Sequence, residues 1–273
     1  MSVFRFKRFE VVNERSAMKV NTDGVLLGAV MTVRPSDRHL LDIGTGTGTI
    51  ALMAAQRLAD IYQPLDSSAM DHKVRFASDW GYAPLDLMVH GGGGERSIHA
   101  IDIDEASAAE AAANFRNSLW NSFLEAFHAS LDDYRKMSEK REYDLIFSNP
   151  PYFEDSLPAP EERRSNARHT NTGLSYREIL DFASESLSPD GRVSMVLPAE
   201  QEHDLCRHAR MNSLHLFRIV RIRTVPRKAP SRIIAEFSRT RPGSLEDVTL
   251  TIQNEGKYTE EYLSLMHDFY LFA

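Results

Sequence analysis

Residues 39–52 read HLLDIGTGTGTIAL. A continuous apolar run is what a strand buried on both faces requires, and this one ends on an acid, Asp42. Gly44, Gly46 and Gly48 follow, and then a helical pattern. Glycine permits a sharp backbone turn and lets a ligand lie directly on main-chain N–H groups. The stretch is therefore a strand, a ligand-facing turn and a helix. The same rhythm recurs outward from it. SIHAIDID (97–104), YDLIFSNPP (143–151) and GRVSMVLP (191–198) have strand character, the last behind a turn signal at Pro189, Asp190 and Gly191. Helical patterns in EASAAEAAANFRNSL and LSYREILDFASESL alternate with them. Alternation of this kind predicts an α/β fold, a doubly wound, mostly parallel sheet with helices on both faces. More β-rich sequence at 213–253 and a helical tail, YTEEYLSLMHDFYLF, close the chain.

Bulk composition narrows the class. The chain has 273 residues, 42% hydrophobic and 26% charged, as in a soluble globular protein. It has no apolar run long enough for a membrane span and no secretory signal pattern, so a cytoplasmic location is expected. Cys206 is the only cysteine, which excludes an internal disulfide and any multi-cysteine zinc site. A net charge of −7 argues against a protein that coats nucleic acid over its whole surface; only a local basic patch could serve. Almost forty residues separate the helix ending near Ala59 from the strand starting near Ser97, against a usual 2–6 or so. The expectation is one domain over 1–273 with a surface insertion at about 60–96, tethered by Gly91 to Gly94.

A bare G-x-G-x-G is shared by several nucleotide folds. Asp42, two residues before Gly44, sharpens it: an acid at that mouth repels a diphosphate but suits the cation of S-adenosylmethionine. The second strand ends at Asp102, where a carboxylate can accept both ribose hydroxyls. Ile103 would pack on adenine, and Asp104 would cap the next helix. Taken alone, an acid ending a strand is equally a cap or turn residue.

SNPPY (148–152) ends a strand expected beside the first, where doubly wound sheets bind ligands. Pro150 and Pro151 fix φ and offer no donor, and Asn149 before them is held extended. The segment then presents two acceptors, the Asn149 side-chain oxygen and the Pro150 carbonyl, to an exocyclic NH₂. Holding both N–H bonds of a delocalised aromatic amine turns its lone pair toward an activated methyl. Tyr152, with Phe153 beside it, would stack on the base. A rigid turn without function is the alternative for this motif in isolation.

DIGTGTG, AIDID and SNPPY together resemble the class I S-adenosylmethionine-dependent amino-methyltransferases. FRFKRFEVVNERSAMKVNTDGVLLGAV (4–30) and the tail YTEEYLSLMHDFYLF are similar to the bacterial enzymes that N6-methylate adenine 37 of tRNA1(Val). That resemblance implies a seven-stranded Rossmann-like methyltransferase sheet, with S-adenosylmethionine as cofactor and tRNA as partner. It implies that Lys19, Thr22 and Asp23 lie in a segment bordering the methionine moiety; by residue type, Thr22 or Asp23 can cap a helix beginning near Gly24. It also implies an acid after the third strand for the cofactor's adenine amino group, for which FHASLDDYR offers Asp132 or Asp133; Asp132 is carried.

Basic residues cluster at Arg218, Arg221, Arg223, Arg227, Lys228 and Arg232. Arg163, Arg164, Arg168 and His169 form a second group, and Arg5, Lys7 and Arg8 a third. These would position the phosphates of an anticodon stem-loop whose target base is already single-stranded. A solvated surface explains any one cluster equally well. The histidines show no metal-ligand spacing, and no metal is expected. N-P-P-Y also suits another nucleobase amine or a protein glutamine amide. A nicotinamide oxidoreductase is disfavoured by Asp42, and a non-catalytic RNA-binding module would retain the pocket without turnover.

Overall fold

The computed structural model describes residues 2–62, 96–138, 141–151 and 174–273. A hairpin of β1 (Val3–Arg5) and β2 (Glu10–Val12) precedes α1 (Thr22–Val30). There follow β3 (His39–Ile43), α2 (Thr49–Tyr62), β4 (Ser97–Asp102), α3 (Glu105–Arg116), β5 (Leu124–His128), α4 (Leu131–Met137) and β6 (Tyr143–Ser148). The second half holds α5 (Tyr176–Ser186), β7 (Leu187–Pro198), α6 (Glu202–Met211), β8 (His215–Arg223), β9 (Arg232–Ser238) and β10 (Glu246–Thr251). A small hairpin of β11 (Gln253–Asn254) and β12 (Lys257–Tyr258) leads into α7 (Glu260–Met266).

Eight strands form the main sheet in the order β10-β8-β9-β7-β6-β3-β4-β5. Only β9 runs against its neighbours. The sheet is mostly parallel, as expected, with one strand more than the seven anticipated. β10 adds to the edge by pairing parallel to β8. Strand order, not strand direction, reverses between β3 and β6, because β4 and β5 lie on one side of β3 and β6 on the other. That is the switch point at which doubly wound sheets open a crevice.

Strand side chains alternate between two cores. Leu40, Leu145 and Phe147 join the cluster under α1, α2, α3 and α7. Leu41, Ile43 and Ile146 join the other, under α4, α5 and α6. Apolar residues are needed at every position because both faces are covered. Helix starts are fixed locally. Asp104 caps α3 through the Ser107 N–H, as anticipated, and Ser175 with Glu178 forms a capping box on α5. The cap of α1 is Asn21, which accepts from the Gly24 N–H; Thr22 and Asp23 are the first two residues inside the helix. The insertion expected at about 60–96 lies almost wholly outside the described residues, with α2 itself running on to Tyr62.

The end of the strands away from the crevice carries buried charge. Arg192, fully buried, donates two hydrogen bonds to Asp37 at 2.9 and 2.6 Å and others to Thr32 and the Asp144 carbonyl. Asp144 in turn accepts from the Arg38 and His39 N–H groups. Removing one partner of a buried pair leaves an uncompensated charge. Asp37→Ala is therefore expected to lower the unfolding free energy by about 3–5 kcal/mol in urea titration.

Candidate active site

Strand register brings the three sequence motifs into one row. Asp42 pairs with Ala100 of β4 on one side and Phe147 of β6 on the other. Continuing both ladders by two residues sets Gly44 level with Asp102 and with Asn149. The row is fastened at both joints. Ser148 Oγ donates to the Ile43 carbonyl at 2.7 Å, and the Gly44 and Thr45 N–H groups donate to the Ile101 carbonyl at 2.9 and 3.0 Å.

The glycine turn depends on missing side chains. Gly44, Gly46 and Gly48 have φ of +73°, +56° and +80°, a region that L side chains rarely adopt. A Cβ at Gly48 would meet Phe115 of α3 at 2.5 Å. The Gly46 N–H donates to Asp102 at 2.8 Å and the Gly48 N–H to the Thr45 carbonyl. The amides of Gly44, Thr45, Gly46 and Gly48 are thus all engaged within the protein. A diphosphate would find them taken, which is what a nucleoside cofactor without phosphates allows.

Two acids flank the turn. Asp102 accepts from Gly46 and Asp104 N–H groups, and burial holds its carboxyl above the usual range against those bonds. Each of its oxygens has a second lone pair for a ribose hydroxyl. Ile103 beside it is 74% exposed, an apolar surface of the kind an adenine ring would cover. Asp42 is fully buried, with Oδ2 accepting from Thr45 Oγ1 at 2.7 Å and Oδ1 without a partner among the described residues. Burial pushes its pKa up to about 7. A buried carboxyl behind the turn offers an anion nothing, whereas a nearby cation would favour its ionised form.

Residues 13–21 form a strap across this row. A Cβ at Gly46 would come within 3.3 Å of the Met18 carbonyl and 3.4 Å of Ser16 Oγ. At the strap's far end, Asn149 Nδ2 faces Met18 Sδ at 3.5 Å and Asn21 Oδ1 at 3.4 Å. Asn149 and Pro150 are buried and Pro151 exposed. Lys19 is exposed, with its Nζ donating to the Glu14 carbonyl at 2.5 Å, and Thr22 is exposed at the start of α1. Asp23 pairs with Arg232. Asp132 sits exposed in the first turn of α4, beyond His128, which is level with Asp102. Tyr152 and Phe153 lie outside the described residues.

The strap's anchors, Glu110, Asn114 and Ser107, were not anticipated. They occupy the buried face of α3 together with Ala111 and Phe115. The signal was available: polar residues at helical spacing on the stripe that must face inward.

The basic residues are drawn into the fold to different degrees. Arg218 is held by Glu236 and Glu246, Arg221 by Glu202 and Asp247, and Arg232 by Asp23. Arg223 donates to Thr251 and the Pro226 carbonyl. At the N-terminus Arg5 pairs with Glu10, Arg8 with Asp60, and Lys7 reaches the His267 and Ala273 carbonyls. Adjacent strands and packed helices bring acids against these side chains, which spacing along one strand does not show. Arg227 and Lys228 are exposed in the loop joining β8 to β9. β8 runs parallel to β6 and β7, so that loop is at the crevice edge. Arg163, Arg164, Arg168 and His169 lie outside the described residues. Among the described residues no group of three or more His, Cys, Asp or Glu could hold a metal, and no helix is long and apolar enough to cross a membrane.

The chain is similar to known methyltransferases. The family model described as UPF0020, RMKL-like methyltransferase domain, matches residues 30–223. A tRNA1(Val) (adenine(37)-N6)-methyltransferase of Parabacteroides distasonis is 36% identical over 269 residues, covering 98% of this chain and 97% of its own. A predicted O-methyltransferase from Agrobacterium tumefaciens superposes with a TM-score of 0.60 at 14% identity, over 90% of this chain and 96% of that one. A T. thermophilus 16S rRNA N2 G1207 methyltransferase, solved with AdoMet and guanosine, gives 0.50 at 16% identity over 88% of this chain and 50% of that one. The last two likenesses speak to the fold.

Asp42 makes a testable statement about the cofactor-free protein. Its unfolded-chain value is 3.8 and its folded value about 7, so the folded state binds more protons between them. The stabilising contribution is complete below the lower value and is lost as pH rises through about 7. In urea titrations at pH 5 to 8, parent stability relative to Asp42→Asn should fall with pH, at up to about 1.4 kcal/mol per pH unit. A difference that does not change with pH would show that the carboxyl is not held buried and unpaired.

Proposed function

This chain belongs to the tRNA1(Val) (adenine(37)-N6)-methyltransferase family, and we propose that Asn149 and the Pro150 carbonyl hold N6 of adenine 37 of that tRNA for methylation. The observation that carries this is the single row formed by Asp102, Gly44 and Asn149 at adjacent strand ends. A ligand nucleoside anchored at Asp102 and an amine held at Asn149 would meet across the glycine turn.

S-adenosylmethionine, when bound, supplies an electrophilic methyl group on a sulfonium. Asp102 would accept the ribose hydroxyls, Ile103 would cover the adenine, and the turn of Gly44, Gly46 and Gly48 would pass beneath the ligand. Asp42 would complement positive charge from behind the turn. Lys19 in the strap and Thr22 at the start of α1 would border the methionine moiety, and Asp132 would serve the cofactor's amino group.

The acceptor side needs no strong base. Asn149 Oδ1 and the Pro150 carbonyl would each accept one N–H of the target amine, with no proline N–H nearby to compete. Both bonds strengthen as positive charge grows on N6, so they stabilise the transition state more than the ground state. The proton becomes acidic only after transfer. Tyr152 would stack on the splayed base.

For the RNA, Arg227 and Lys228 are favoured within 218–232, because they are exposed at the crevice edge while the neighbouring arginines are paired internally. Residues 163–168 follow the Asn149 motif in the chain and would add phosphate contacts from there. The whole of 1–273 would act as one methyltransferase domain in the cytoplasm, where its substrate resides.

Unmodified tRNA incubated with the enzyme and labelled methyl donor should yield N6-methyladenosine on nucleoside mass analysis. Asn149→Ala should reduce that yield by about 10²–10³-fold while cofactor affinity stays close to the parent's. An Asn149→Ala enzyme as active as the parent would refute the assignment. Reversing charge at Arg227 and Lys228 should weaken tRNA binding across sequences and lower the salt dependence of affinity by about one to two contacts. Binding measured from low to moderate salt checks this.

A further inference from the structure

Glu110 lies midway along α3, 5% exposed, and its carboxylate accepts three successive main-chain N–H groups. Glu14 and Arg15 donate to Oε2 at 3.0 and 2.7 Å, and Ser16 donates to Oε1 at 3.2 Å. Consecutive N–H groups converging on one anion form an anion-binding concavity, here filled by a side chain of the protein itself. Its neighbours on the same helix face reinforce the joint. Asn114 exchanges hydrogen bonds with the main chain of Val12 and also donates to the Thr47 carbonyl at 2.9 Å, inside the glycine turn. Ser107 Oγ donates to Ser16 Oγ at 3.0 Å and accepts from the Ala17 N–H.

Burying a carboxylate is costly unless its lone pairs are filled, and an alanine-rich helix such as α3 could have packed here without one. What the carboxylate achieves is a fixed path for residues 14–16. The strap then runs straight on over Gly46, through Ser16 and Met18, to Asn149, through Met18 and Asn21. One polypeptide segment therefore touches both ends of the proposed reaction, and Glu110 makes three of the hydrogen bonds that set its course.

We propose that Glu110 is a positioning residue for methyl transfer: by clasping residues 14–16 it holds the strap in the single conformation that both roofs the glycine turn and orients the Asn149 amide. This rests on the reading of Asn149 and the glycine turn given above. Its consequence is a coupled defect. Loosening the clasp weakens cofactor binding through the roof and lowers turnover through Asn149, from a helix face that touches neither ligand.

Glu110→Gln tests it with little change of shape. The new amide NH₂ faces N–H donors, so at least one of the three bonds is lost and a repulsive contact replaces it. Glu110→Asp keeps the charge but withdraws it by one methylene. Both are prepared as the full chain, with urea unfolding to confirm that the core folds. Three readouts follow: trypsin cleavage after the exposed Arg15 and Lys19, S-adenosylmethionine affinity by calorimetry, and kcat and KM on unmodified tRNA. Glu110→Gln is expected to be cut at least tenfold faster at those two sites, with cofactor binding about tenfold weaker and kcat about 10–100-fold lower. Glu110→Asp should fall between it and the parent in all three. A purely structural role predicts lost folded protein with kcat per folded molecule unchanged, and that result overturns the proposal. So does a Glu110→Gln enzyme that matches the parent in cleavage, affinity and turnover. A parent that fails to bind S-adenosylmethionine or to methylate tRNA overturns the functional reading and this proposal with it. A competent parent with an unaffected Glu110→Gln overturns the proposal alone.

Discussion

The site exists because three backbone positions in five residues carry no Cβ. With φ positive at Gly44, Gly46 and Gly48, the chain leaves β3, folds back against the Ile101 carbonyl and enters α2 within one short turn. The space that a side chain at Gly48 would fill is occupied by the ring of Phe115, so α3 can pack hard against the turn. That close approach brings Ser107, Glu110 and Asn114 within reach of the N-terminal strap. A larger residue in the turn would push α3 away and separate the strap from the strand ends. Sheet register and helix packing are therefore tied together by an absence of atoms.

Charge is divided between the two ends of the strands. At the far end of the strands Arg192 and Asp37 are buried and Asp144 is half-buried, and their mutual and main-chain hydrogen bonds secure the loops there. At the crevice edge the buried acids are less completely matched: Asp42 keeps one oxygen unpartnered among the described residues, and both Asp42 and Asp102 have carboxyls raised by burial. Satisfied networks favour rigidity, whereas incompletely satisfied groups are where ligands find interactions. The engaged amides of the turn add the complementary half. An anion is offered no free donor at Gly44, Thr45, Gly46 or Gly48, and a cation is offered carboxylates.

The arginines show why composition is a weak guide to an RNA surface. Six basic residues within fifteen positions suggest a patch, yet Arg218, Arg221 and Arg232 meet Glu and Asp side chains from β9, β10, α6 and α1. These acids lie on other elements of the chain and become neighbours only when the strands pair and the helices pack against them. Arg227 and Lys228, in the loop between β8 and β9, are exposed, and no ion pair joins them to another of the described residues.

Much was legible in one dimension because it is governed by local rules. Apolar runs between helical patterns give the doubly wound sheet, glycines at alternate positions give the turn, Asp104 beside an alanine-rich helix gives its cap, and two prolines after Asn149 stiffen a strand end. Each depends on residues within a few positions of one another, so sequence alone determines it. The eighth strand, the internal pairing of the arginines and the clasp of Glu110 on residues 14–16 depend on contacts between segments as much as 209 residues apart. A buried carboxylate in α3 reads as an odd residue on an apolar stripe until the strap is laid across it. Only tertiary structure decides which distant donors fill its lone pairs, because hydrogen-bond satisfaction is settled by proximity in space and leaves no fixed spacing in the chain.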